Sequence, residues 1–372
     1  GWYQDGPQLT SSDGEGDDFD SLGFNFDSLG SSVSINSDGT VIVAGSPSSD
    51  VPGTSAGSVV VFKRSSLGWY QDGPQLTSSD GEGDDTDLLG SSVSINSDGT
   101  VIVAGSPNSD VPAGNSAGSV VVFKSSSLGW YQDGPQLTSN DGVGNAADQL
   151  GSSVSINSDG TVIAAGSPLS DVPDSGAGSV VIFKSSSLGW YQDGPQLTSS
   201  DGNPTGDFLG NSVSINSDGT VIAAGAQETD VPEGGAGSVI VFKSSSLGWY
   251  QDGPQLTSRD PPDFDFDEDE FLGFSVSINS DGTIIAAGSP NSDFPDEEDG
   301  SVVVFKSSSL GWYQDGPQLT SSGGGSLKHL GSSVSISGDG SVVAAGSPDS
   351  DVPGNSAGSV VVFFETIDIG AE

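Results

Sequence analysis

Apolar and polar positions recur in the same order six times along the chain, most cleanly at residues 89–123. Leu89 to Asn96 alternates, with Val93 and Ile95 on one side and Ser92 and Ser94 on the other, which is the period of a strand. Ser97-Asp98-Gly99 predicts a tight turn, because Asp and Gly tolerate the left-handed backbone that a short hairpin needs. Thr100 to Ala104 and Val120 to Phe123 are unbroken apolar runs rich in β-branched residues, the pattern of strands covered on both faces. Gly105-Ser106-Pro107 predicts the end of the second strand, since Pro has no N–H for the ladder. A polar loop then runs to Gly118. A fourth segment, Gly129 to Thr138, carries Trp130, Tyr131 and Leu137 but has Gly134-Pro135 in mid-run, which predicts an outer edge strand. Ser125-Ser126-Ser127 predicts the link from third strand to fourth. The unit is a four-stranded antiparallel sheet.

Tryptophan falls at 2, 69, 130, 190, 249 and 312, a spacing of about 60 that predicts an array or a propeller. The repeats override the multi-domain expectation that 372 residues would otherwise raise. The chain begins with a spare outer strand, Gly1 to Thr10, and its last repeat stops at its third strand, Gly358 to Phe363. Unpaired strand edges invite aggregation, so the predicted fold is all-β: a six-bladed β-propeller of four-stranded antiparallel blades, closed by the N-terminal strand. An open array is the alternative. One domain, 1–363, is expected, with blades at approximately 11–77, 78–138, 139–198, 199–257, 258–320 and 321–363 plus 1–10. Residues 364–372 read as a tail or linker.

Leu-Gly-Ser-Ser-Val, Ala-Gly-Ser-Pro, Gly-Ser-Val-Val-Val-Phe and Gly-Trp…Gln-Leu-Thr together resemble the FG-GAP repeat. That repeat builds the β-propeller of integrin α-subunit heads and of many secreted microbial and algal proteins. The family's Phe-Gly stands here as Leu-Gly (Leu29-Gly30, Leu89-Gly90, Leu330-Gly331), and its Gly-Ala-Pro as Gly-Ser-Pro (Gly45-Ser46-Pro47, Gly346-Ser347-Pro348). The resemblance covers nearly the whole chain and implies a propeller. It is weak for function, because propellers host many activities. Integrin-type repeats often carry calcium in the first hairpin as Asp-x-Asp-x-Asp-Gly-x-x-Asp. Here Asn96-Ser97-Asp98-Gly99-Thr100-Val101-Ile102 lacks the closing Asp, so a plain turn is expected in all six copies.

Composition adds charge to this picture. The formal net charge is −43, with 51 Asp plus Glu against eight Lys plus Arg. Nucleic acid and anionic membrane surfaces are poor partners for such a chain, while cations, basic proteins and neutral glycans fit it. Of the acids, 22 lie in the loops between an outer strand and the next first strand and 14 in the loops between second and third strands, so 36 of 51 fall in two sets of loops. In an up-and-down blade these two sets share one face, and they are also the loops that vary in length. Six of the bases (Lys63, Arg64, Lys124, Lys184, Lys243, Lys306) belong to the opposite face. This sorting favours a face that binds cations or a partner over a merely solubilising surface. There is no Cys, hence no disulfide, and no apolar run reaches the 18 or more residues that span a bilayer. With no Met in the sequence, residue 1 is expected to follow processing or to lie within a longer product. The one Asn-x-Thr match, Asn203-Pro204-Thr205, contains the Pro that forbids N-glycosylation.

Calcium takes six to eight oxygens from flexible loops; two stretches supply carboxylates at alternate positions with Gly between, and a third, in the fifth repeat, is denser in acids. The candidate ligands are Asp13, Glu15, Asp17, Asp18 and Asp20; Asp80, Glu82, Asp84, Asp85 and Asp87; and, in the fifth repeat, Asp263, Asp265, Asp267, Asp269 and Glu270 with Asp293, Asp296, Glu298 and Asp299. Solvated acidic loops are the alternative. Catalysis is not expected: the only His, His329, stands beside Lys328 in a loop and reads as exposed, and no nucleophile–His pair is evident. The six symmetric Trp residues read as blade packing. The expected function is a secreted or cell-surface adhesion or assembly module that binds a protein or glycan through its acidic face with calcium as cofactor. It would insert in no membrane and bind no nucleic acid. A structural tile that self-assembles into a filament or wall, and a glycan-binding or carbohydrate-active propeller, are the alternatives.

Overall fold

The computed structural model describes residues 4–11, 28–51, 55–79, 86–110, 116–140, 148–200, 206–230, 235–259, 270–293, 299–321, 328–351 and 357–365. Among these residues no helix occurs, and the strands form six antiparallel sheets in simple up-and-down order. The chain divides into two compact units. One, Gly1–Asp171 with Ser179–Gln196, holds the first three sheets; the other, Val172–Gly178 with Leu197–Glu372, holds the last three.

The second sheet represents the rest. Its first strand is Ser92–Ile95, its second Val101–Ser106, its third Ser119–Ser126 and its outer strand Gly129–Gln132. The second and third strands pair from Val101↔Lys124 to Ser106↔Ser119, so the second strand ends within Gly105-Ser106-Pro107 as expected, at the residue before Pro107. The serine run, however, is not a linker. Ser125 pairs with Trp130 and Ser126 with Gly129, and the hairpin is closed by the Ser126 hydroxyl, which donates to Gly129 O at 2.9 Å. The outer strand breaks at Asp133–Gln136, where Gly134 takes a φ of 93° beside Pro135, and resumes as a single antiparallel bridge between Leu137 and Val120. Pro in the outer strand therefore sits where the ladder is already interrupted, as expected of an edge.

Alternate residues of the inner strands face opposite neighbours, and each facing pair makes its own apolar layer. In the first unit, Val43, Val59 and Val61 of the first sheet pack on Leu89, Ile102, Ala104, Val121 and Phe123 of the second. Val103, Val120 and Val122 of the second then pack on Leu150, Ile163, Val181 and Phe183 of the third. The second unit repeats this between its fourth and fifth sheets and, with smaller residues, between its fifth and sixth. First strands are laced sideways by serine: Ile95 N donates to the Ser34 hydroxyl at 3.2 Å and Ile156 N to that of Ser94 at 3.2 Å. This explains an alternation in which the polar residue is always small.

The glycines of the two repeat signatures meet between sheets. A methyl group added to Gly105 would overlap the Gly151 carbonyl oxygen, and the same holds for Gly45 against Gly90 and for Gly225 against Gly273. Leu-Gly and Gly-Ser-Pro thus mark the closest backbone approach of neighbouring sheets.

The sixth sheet has three strands, Ser333–Ile336, Val342–Ser347 and Ser359–Phe364. The expected closure would pair the strand Gly1 to Thr10 with Gly358 to Phe363, and Gly1–Tyr3 lie outside the described residues. Residues 4–11 lie on the first sheet, where Leu9 joins Ala44, Val60, Phe62 and Trp69 in one apolar cluster.

Candidate functional site

The two acidic sets of loops converge because backbone hydrogen bonds tie them. Leu89 N donates to Ala56 O at 3.1 Å and Leu150 N to Ala117 O at 3.0 Å in the first unit. Leu209 N donates to Ala177 O and Leu272 N to Ala236 O, both at 3.1 Å, in the second. The loop leading into each first strand is therefore pinned beside the second-to-third-strand loop of the sheet before it. The residue just ahead of each Leu-Gly holds a left-handed backbone without being Gly: φ is 59° at Leu88, 56° at Gln149, 53° at Phe208 and 58° at Phe271.

This arrangement places carboxylates in pairs. Asp148 lies by Asp171, and Asp207 by Asp230. Burial, and secondarily the like charge of its neighbour, pushes the Asp148 carboxyl up to about 6 from an ordinary 3.8. The same two causes in the same order push the buried Asp207 up to about 6. The sequence carries acids at the same 23-residue separation as Asp87/Asp110 and Glu270/Asp293. That spacing is the signal a reading of individual loops overlooks.

The raised pKa values set a pH dependence. A carboxyl that titrates higher in the folded chain than in the unfolded one holds extra protons between about pH 4 and pH 6, so its contribution to stability is present at low pH and is lost as pH rises through that window. Melting temperature at fixed ionic strength should therefore fall between pH 4 and pH 6.5, and the double variant Asp148→Asn/Asp207→Asn should flatten that slope. An unchanged slope would show that the pairs do not titrate in this window.

At the opposite end of the strands the bases are already neutralised. Lys63 meets Asp72 at 2.7 Å, Lys124 meets Asp133 at 2.7 Å, Lys184 meets Asp193 at 2.7 Å and Lys243 meets Asp252 at 2.6 Å. The tryptophans cap these pairs. Trp130 lies 5.4 Å from Lys63 Nζ and donates from Nε1 to Asp72 at 2.9 Å, and Trp312 lies 5.6 Å from Lys243 Nζ and donates to Asp252 at 2.9 Å. Blade packing is thus their role here, as the symmetry of the sequence implies. The Ser-Asp-Gly turns are self-contained. The Asn96 side-chain oxygen accepts from Thr100 N and Val101 N, both at 2.9 Å, and Asp98 accepts from the Thr100 hydroxyl at 2.5 Å.

Glutamine supplies a network the sequence did not reveal. Gln136 accepts from the Ser109 hydroxyl at 2.9 Å and from that of Ser119, and donates to Ser78 of the preceding repeat at 2.9 Å. One side chain so joins the variable loop, its own third strand and the neighbouring outer strand.

Of the expected calcium ligands, Asp87, Glu270, Asp293 and Asp299 are among the described residues. Asp13, Glu15, Asp17, Asp18, Asp20, Asp80, Glu82, Asp84, Asp85, Asp263, Asp265, Asp267, Asp269, Asp296 and Glu298 lie outside them. Among the described residues no three acidic or His side chains converge in a way that could hold a metal ion. Asp299 is engaged otherwise: it is 4% exposed and meets the equally buried Lys328 Nζ at 3.1 Å. His329 is half-buried, with Nδ1 2.8 Å from Asp349 Oδ2.

No family model matches the chain, and no curated protein matches it. Solved structures do. A chain of the Kuenenia stuttgartiensis hydrazine synthase is 14% identical, with 91% of this chain and 84% of that chain covered and a TM-score of 0.53. A candidate 6-phosphogluconolactonase from Bacteroides uniformis is 13% identical, with 91% and 81% covered and a TM-score of 0.54. The architecture is that of a six-bladed β-propeller. At this identity the likeness carries the fold alone. It nonetheless corrects one expectation. The absence of an obvious catalytic dyad was read as the absence of an enzyme, yet a chain described as a lactonase is built on the same fold, so that exclusion does not stand. No helix among the described residues is long and apolar enough to cross a membrane.

Proposed function

We propose that this chain is a propeller of the FG-GAP type that binds a cationic or calcium-bridged partner through its acidic loops, as an adhesion or assembly module at a cell surface or in a secreted setting. The observation that carries this reading is the separation of charge. Carboxylates stand in pairs at one end of the strands, while at the other end the lysines are matched one-to-one by Asp. A surface evolved only for solubility has no reason to set a second carboxylate beside Asp148 or Asp207, whose carboxyls burial already pushes up; a cation or a basic partner side chain relieves the repulsion and offsets the cost of desolvation. Calcium suits such loops because it accepts several oxygens in flexible geometry.

Thermal melting tests this. Sodium at equal ionic strength screens charge without coordinating it, so millimolar calcium should raise the melting temperature more than sodium does. Replacing Asp265, Asp267, Asp269, Asp296 and Glu298 by Asn or Gln should shrink the difference. A calcium response no larger than that of sodium would leave the acidic loops as solvated surface and remove the cofactor from this reading.

A further inference from the structure

The fourth repeat departs from the others at one of the carboxylate pairs. Five repeats end the second strand in Ser-Pro, with the proline at 47, 107, 168, 290 and 348, whereas the fourth reads Ala226-Gln227. The serine has a task elsewhere: its hydroxyl donates to the carbonyl of the acid that stands two residues before Leu-Gly, Ser106 to Asp87 O at 3.0 Å and Ser167 to Asp148 O at 2.8 Å. Ala226 has no hydroxyl to offer Asp207. The loop is rebuilt around this change, and the Thr229 hydroxyl donates back to Ala226 O at 2.9 Å.

The rebuilt loop leaves two buried oxygens without donors. Asp207 is 3% exposed, and among the described residues its carboxyl has no hydrogen-bond donor; the charged group beside it is a second carboxylate, Asp230. Gln227 Oε1, in the same loop as Asp230, is also buried and has no partner among the described residues. Asp207 cannot readily swing out to water, because Leu209 N donates to Ala177 O at 3.1 Å and Phe208 holds a φ of 53°. Asp230 is exposed, and its Oδ1 accepts from Gly235 N at 3.2 Å, which fixes the loop at the surface. Buried acceptors are nearly always satisfied, and a buried carboxylate facing another is costly unless a cation joins them. The sixth repeat shows that positive charge is accommodated here: Lys328 stands at the position of Asp207, 4% exposed, and meets Asp299 at 3.1 Å.

The donors are all oxygens, which select a hard cation. Two carboxylates balance one divalent ion. A small ion also suits the depth of Asp207 better than a partner's side chain does.

We propose that Asp207, Asp230 and Gln227 hold one divalent cation of the calcium type in the fourth repeat, with Asp207 the inner ligand and Asp230 the outer one at the point of entry. The proposal rests on the acidic-loop reading for its class of ligand, but it uses none of the fifth-repeat acids.

Crystals soaked in manganese chloride, manganese being the probe because its anomalous signal locates it, should show a peak at coordination distance, about 2.0–2.6 Å, from carboxylate oxygens of Asp207 and Asp230. In solution the calcium-specific rise in melting temperature should be half-maximal at about 0.1–1 mM. Asp207→Asn should raise that concentration at least tenfold. Gln227→Pro gives the fourth repeat the residue the other five carry, so it suits the fold, and should raise it at least threefold. The fifth-repeat variant described above should leave the manganese peak in place. A missing peak at Asp207, or a calcium response that Asp207→Asn leaves whole, would overturn the site; the acidic-loop reading would then stand or fall on the fifth-repeat variant alone. A peak at Asp207 that Gln227→Pro weakens would establish it, even where the fifth-repeat acids prove inert.

Discussion

Gly105→Ala should be among the most damaging single substitutions in this chain, although it adds one methyl group to a strand interior where Ala has no intrinsic disadvantage. Gly105 lies on a second strand and faces Gly151, which leads into the next sheet. The new methyl would overlap the Gly151 carbonyl oxygen. That oxygen also accepts from the Ser92 hydroxyl at 2.8 Å, so it is held from two sides. A flexible side chain could turn away from such a clash, but a backbone carbonyl between two packed sheets cannot. The sheets would have to separate along the layer that buries Val103, Val120, Leu150 and Phe183. Overpacking of a rigid core costs about 1–3 kcal/mol, and a backbone obstacle belongs at or above the top of that range. The denaturant midpoint of Gly105→Ala should therefore drop clearly, while Ser127→Ala, at an exposed turn, should leave it within error. Equal midpoints would mean that neighbouring sheets do not approach through this pair.

That substitution also shows where the sequence was legible and where it was not. Val93 and Ile95 against Ser92 and Ser94, and the apolar runs around Val103 and Val121, declare strands by period and by β-branching. Six copies of them declare a propeller without any coordinates. The strand ends were harder. Ser125-Ser126 carries no apolar signal, yet these residues extend the third strand because they pair with Trp130 and Gly129 across the hairpin. Pro107, by contrast, placed the end of the second strand, which stops at Ser106, the last residue before the one that has no donor. The glycines were visible as a family mark, but their purpose depends on a neighbour in the next repeat and is written in no local pattern. The candidate site was least legible of all. The pairing of Asp148 with Asp171 or of Asp207 with Asp230 is a matter of two loops brought together by the strands between them. A tally of acids places both on one face and stops there.

Lys328 is the clearest case of a residue whose role only the fold exposes, and it carries the second large expected effect. In sequence it is a base beside the only His, in a loop. In the fold it occupies the position that Asp87, Asp148, Asp207 and Glu270 hold in earlier repeats, and it is 4% exposed. Asp299 correspondingly replaces the residues at Ala56, Ala117, Ala177 and Ala236, so where the fifth and sixth repeats meet an alanine and an acid are exchanged for a buried ion pair. Lys328 Nζ meets one carboxylate oxygen of Asp299, and the other oxygen is buried without a hydrogen-bond partner. Removing one member of a buried pair leaves the other charged and unsolvated, at about 3–5 kcal/mol, whereas removing both is often neutral or stabilising. Lys328→Met should consequently destabilise the chain by an amount in that range, Asp299→Ala alone should destabilise it as well, and Lys328→Met/Asp299→Ala together should recover most of the loss in a double-mutant cycle on denaturant midpoints. Additive losses would show that the two side chains do not act as a pair. Recovery would show that the pair is a costly local device, retained for the arrangement of the loop that leads into the sixth sheet rather than for stability.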